Sequence, residues 1–92
     1  MSERLSHIRQ QLSSLQPSHL DIIDESHLHA GHAGAKGGGG HYRIHLVSSD
    51  FVGKNTMSRH RMVYSALAEL LKREIHALTL RTETPEEFAL SH

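Results

Sequence analysis

A chain of 92 residues makes one domain with one small core, because at this size only roughly 60–68% of the unfolded surface can be buried. Ten basic residues balance ten acidic ones, which removes the simplest electrostatic case for a nucleic-acid binder, an excess of Lys and Arg. The absence of cysteine excludes a disulfide, a thiolate nucleophile and an all-cysteine metal site, and no apolar run is long enough to span a membrane. Ser2 can cap a first helix, with Glu3 near its positive end; Leu5, Ile8, Leu12 and Leu15 form one apolar stripe until Pro17 stops it. The opening Met1-Ser2-Glu3-Arg4 does not resemble a secretory signal, so a cytoplasmic protein is expected.

Leu20 to Asp24 carries Leu20, Ile22 and Ile23, enough for one short strand. From residue 25 to 40 the chain reads E-S-H-L-H-A-G-H-A-G-A-K-G-G-G-G, with six glycines and three histidines, and is expected to be a flexible loop. His41 to Val47 reads as a second strand, with Tyr42, Ile44 and Leu46 inward and His41, Arg43 and His45 outward. Val47 is then the one apolar residue on the outer face. Residues 48–57 form a connection anchored by Phe51 and turned at Gly53. A long helix over Ser58 to Arg73 buries Val63, Leu67, Leu70 and Leu71 and leaves Arg61, Ser65, Glu69 and Lys72 wet. His60 falls within the apolar stripe and is expected to be partly buried against the first helix. A strand follows over Ile75 to Thr82, with His76, Leu78 and Leu80 on one side and Ala77, Thr79 and Arg81 on the other. Thr84-Pro85-Glu86-Glu87 is a capping box that starts a short terminal helix able to bury Phe88 and Leu90.

The order α-β-β-α-β-α describes an α+β fold in one domain, residues 1–92. The first two strands are expected to be antiparallel. The third, reached through a helix, should run parallel to one of them, with helices on one face of a three-stranded mixed sheet.

Ten histidines in 92 residues stand out, since neutral imidazole is a common metal ligand. His27, His29, His32 and His41 could gather a zinc or nickel ion without a partner. Arg59 and Arg61 could grip a phosphate or a partner's carboxylate. Cationic candidates for nucleic acid include Lys54, Arg59, Arg61, Lys72, Arg73 and Arg81, but no G-x-x-G clamp occurs after Gly53. Gly37 to Gly40 lacks the G-K-[ST] ending of a phosphate loop. No catalytic constellation is visible, so no enzymatic activity is expected.

F-V-G at 51–53, R-H-R-M-V-Y at 59–64, L-A-E-L-L at 67–71, H-A-L at 76–78 and T-P-E-E-F at 84–88 resemble the BolA-like proteins. E-S-x-x-H at 25–29 and H-Y at 41–42 match the same pattern. The resemblance runs from about Leu5 to Phe88 and implies a fold related to the class II KH domain. It implies a heterodimer with a monothiol glutaredoxin that shares a 2Fe–2S cluster, serving iron–sulfur trafficking and iron homeostasis, with glutathione supplied by the partner. The alternative is DNA binding and transcriptional control. Alone, the chain would be a monomer or a weak homodimer. The cluster ligands implied are His76 and one loop histidine: counting from E-S gives His29, and counting back from H-Y favours His32. Lys54, Arg59, His60, Arg61 and His41 are the expected contacts to a partner or to nucleic acid. Since the chain has no thiolate, it could supply only the imidazole half of such a site.

Overall fold

The computed structural model describes residues 3–25, 40–73 and 75–91. The expected Ser2 cap and the loop histidines His27, His29 and His32 lie outside them, as does Glu74. The first helix, α1 (Glu3–Leu12), buries Ile8 and Leu12 and ends in a 3-10 turn over Ser13–Leu15. Gln16 then adopts a left-handed backbone conformation, with φ of 52°, and reverses the chain. As a result β1 (Pro17–Asp24) begins three residues before the apolar run that suggested it. Proline fits as the first residue of this edge strand, where its missing N–H costs the ladder little.

The central strand, β2 (Gly40–Ser48), pairs antiparallel with β1 and parallel with β3 (Ile75–Glu83), giving the expected mixed sheet in the order β1-β2-β3. Its inward residues Tyr42, Ile44 and Leu46 are fully buried. They meet Ile8, Leu12, Leu15, Phe51, Val63, Leu67, Leu70 and Ile75 in one core. The phenolic oxygen of the buried Tyr42 accepts a hydrogen bond from Arg4 at 3.4 Å. Ser48, also buried, donates to the Leu15 carbonyl and accepts from the Asp50 N–H at 3.0 Å. Gly53, with φ of +80°, makes the turn expected of it.

The single helix expected over Ser58 to Arg73 is two elements, α2 (Thr56–Ala66) and α3 (Ala68–Arg73). The break falls at the fully buried Leu67, yet the bonds from Leu67 N–H to Val63 and from Leu71 N–H to Leu67 remain. The helix starts earlier than expected because Asn55 caps it, its side-chain oxygen accepting from Ser58 N–H at 2.8 Å.

The last helix, α4 (Pro85–Ser91), crosses to the outer face of the sheet, which the sequence left open. Phe88 stacks on His19 with ring centroids 4.7 Å apart and meets His45 edge-on at 5.5 Å. His19 and Val47 are paired across β1 and β2, and Val47 is fully buried rather than wet. Leu90, expected inside with Phe88, is instead 85% exposed.

Candidate functional site

The start of β3 departs from regular pairing. Gly40 lies opposite Ile75, and the next pair is His41 with Ala77, so His76 is an additional residue inserted into β3. Ile75 is buried in the core and Leu78 packs against it from the same side. The bulge therefore takes His76 out of phase with Leu78 and Leu80, contrary to the simple alternation, and His76 is exposed.

The two ends of the segment 26–39 meet at this rim. Glu25 N–H donates to the His41 carbonyl at 2.8 Å, and Gly40 lies beside Ile75. The candidates His29 and His32 belong to that segment, outside the described residues. His41 is half-buried, with Nε2 3.4 Å from the Thr79 hydroxyl and 4.0 Å from Glu25. Arg43 Nε donates to the other Glu25 oxygen at 3.0 Å. The rim thus gathers an exposed imidazole, a second imidazole on the neighbouring strand, and both anchors of the histidine segment.

The remaining sequence candidates lie elsewhere. Arg59 Nε donates to the Lys54 carbonyl at 2.8 Å, Nη1 to the Thr82 carbonyl at 3.3 Å, and Nη1 and Nη2 to the two Glu87 oxygens at 2.7 and 3.2 Å. Its guanidinium also lies over the Phe51 ring, 5.9 Å from the centroid. These contacts join the start of α2, the end of β3 and the start of α4, so Arg59 is committed within the chain. Glu87 is held down to about 2 by the Arg59 hydrogen bonds first and the Thr84 N–H second. Thr82 is six residues along β3 from His76, about 20 Å at strand spacing. Arg59 and Lys54 therefore belong to the opposite end of the strand. His60 is half-buried; Arg61 and Lys54 are exposed.

One group went unnoticed in the sequence. On the outer face, ligand atoms of His19, Asp21 and His45 all lie within 4.8 Å of one another. His19 Nε2 is 3.2 Å from Asp21 Oδ2, and His45 Nε2 is 2.6 Å from Glu83 Oε1. Burial pushes the Glu83 carboxyl upward, but hydrogen bonds from His45 and Ser91 and the charge of Arg81 outweigh it and hold it below its ordinary value. Outward alternation in β2 exposed His45 to view, but only the β1–β2 register brings residues 19 and 21 beside it.

Residues 12–87 match the family model for "BolA-like protein". The chain is 42% identical over 91 residues to "Protein BOLA1, chloroplastic" of Arabidopsis thaliana, an alignment covering 95% of this chain and 57% of that protein. It is 42% identical over 76 residues to the "DNA-binding transcriptional regulator BolA" of Escherichia coli, covering 83% and 70% respectively. Among solved structures, the BolA domain of SufE1 from Arabidopsis thaliana superposes with a TM-score of 0.82 at 36% identity, covering 95% of this chain and 98% of that one. The chain spans little more than half the length of the chloroplastic relative.

Proposed function

The chain belongs to the BolA-like family, and from that premise we propose that it is a non-enzymatic adaptor that pairs with a monothiol glutaredoxin and helps hold a shared 2Fe–2S cluster. His76 and one of His29 or His32 would be its ligands. The observation that carries this reading is the β2–β3 pairing of Gly40 with Ile75, which returns the histidine segment to the strand immediately beside the exposed His76. The donor set fits half a site: imidazole is present and thiolate is absent, so sulfur must come from the partner and its glutathione. When bound, such a cluster supplies iron with positions open to imidazole. The part played by this chain is to present neutral imidazole on a fixed strand, and binding should weaken as pH falls and the rings gain protons.

Reconstitution of the pair with iron and sulfide, followed by visible absorption and circular dichroism, tests the assignment. His76→Ala, and the double change His29→Ala/His32→Ala, should each alter the spectra. Spectra identical to wild type in both variants would remove the assignment.

A second reading, DNA-binding regulation, draws on the name of the E. coli relative and on the exposed cations Lys54, Arg61, Lys72, Arg73 and Arg81. Zero net charge predicts modest affinity that falls steeply with salt. A mobility shift at two salt concentrations separates the cases: sequence-independent retardation that vanishes near physiological salt counts against regulation.

A further inference from the structure

We propose that His19, Asp21 and His45 form a binding site for a divalent transition-metal ion of the zinc type on the outer face of the sheet, beneath Phe88. The site is independent of the rim at His76 and needs no partner. Its geometry is set by regular structure. His19 and Asp21 project from one face of β1, and His45 is paired directly with Asp21 on β2. The three ligand atoms lie within 4.8 Å of one another, close enough for one ion to reach all of them after small side-chain rotations. The 3.2 Å between His19 Nε2 and Asp21 Oδ2 matches the edge of a tetrahedron whose metal bonds are about 2.0 Å long.

Glu83 supplies the support that metal-binding histidines usually have. Its carboxylate lies 2.6 Å from His45 Nε2, the carboxylate–histidine contact that orients a metal-binding ring. Two guanidiniums stand nearby, Arg81 at 3.5 Å from Glu83 and Arg43 at 3.0 Å from Glu25, so the three carboxylates Asp21, Glu83 and Glu25 still leave the local charge in favour of a cation. Two imidazoles and one carboxylate suit zinc, nickel, copper(II) or cobalt(II) rather than magnesium or calcium. A fourth position is left to water. Bound metal would also fix the two rings on which Phe88 packs, and so hold α4 to the sheet.

The test is calorimetric titration of the full chain with zinc, in a background carrying His27→Ala, His29→Ala, His32→Ala and His76→Ala. One equivalent should still bind. His19→Ala, His45→Ala and Asp21→Asn, added singly, should each weaken it by at least about tenfold. Loss of all binding in the four-histidine background, or binding untouched by the three single changes, overturns the proposal. Should a histidine variant fail to fold, two measurements still decide. Asp21 is exposed, so Asp21→Asn keeps the fold. In the wild-type chain, zinc should shift the His45 ring nitrogen resonances, and unmoved resonances overturn the site on their own.

Discussion

Arg59 is where residue chemistry and position part most widely. In R-H-R the arginines read as cations open to a partner. Folded, Arg59 bonds to Lys54, Thr82 and Glu87, and its side chain is only 11% exposed. Nothing local announces this, because Glu87 is 28 residues away. The consequence is a carboxylate whose folded value of about 2 lies below its ordinary 4.5. The pair's stabilisation is therefore complete above about pH 5 and is lost as pH falls through 4.5 toward 2. Glu87 is 48% exposed, so water screens the pair and the effect on stability is small. The titration itself is the sharper readout. In Arg59→Met, the Glu87 carboxyl carbon followed by NMR should titrate much closer to 4.5. An unmoved midpoint would assign the depression to the Thr84 N–H instead.

At the scale of elements, the capping box is the feature most legible in the sequence. Thr84 Oγ1 accepts from Glu87 N–H at 3.1 Å, and Glu87 accepts from Thr84 N–H at 2.9 Å. All of that chemistry sits within four consecutive residues, so T-P-E-E was enough to predict it. Thr84 is buried, and Thr84→Ala removes one of the two bonds. The expected cost is about 1 kcal/mol, or a fall of about 4–8 °C in Tm, measured by thermal unfolding. An unchanged Tm would mean that α4 is held by Phe88 and Arg59 rather than by its cap. The features that escaped the sequence are those that depend on another element. Val47 was placed on an open outer face until α4 crossed the sheet, and Leu90 was expected to be buried with Phe88 although the two lie about 200° apart around a helix and cannot share one face. The bulge at His76 is easily missed in the local pattern, since Leu78, Thr79 and Leu80 alternate regularly after it; the pairing with Gly40 and His41 reveals the additional residue. The core, by contrast, followed from apolar spacing alone: Tyr42, Ile44, Leu46, Val63, Leu67 and Leu70 were all placed correctly, whereas which of the first two strands β3 joins was left open.

For the molecule as a whole, β3 runs between the two proposed sites, the rim at His76 and the outer-face group of His19, Asp21 and His45 on β1 and β2. His76 opens β3, while Arg81 and Glu83 near its close lie beside His45. Five to seven strand residues separate them, about 16–23 Å, well beyond the distance at which substitutions usually interact. A domain of this size has only about 5–14 kcal/mol of total stability, so both sites can be altered together only if neither supports the core. His76 meets that condition: it is exposed and has no place in the buried cluster, so His76→Ala should change the unfolding free energy by no more than about 0.5 kcal/mol. His45→Ala should destabilise more, because it removes the contacts to Phe88 and Glu83. The two should divide cleanly. His76→Ala should change the spectrum of the reconstituted glutaredoxin pair and leave zinc binding at the outer face intact; His45→Ala should do the reverse. In the double variant, the unfolding free energies from urea titration should add to within about 0.3–0.5 kcal/mol. A His45→Ala chain whose cluster spectrum differs from wild type would show that the sheet couples the two ends of β3, and the picture of two independent sites would fail.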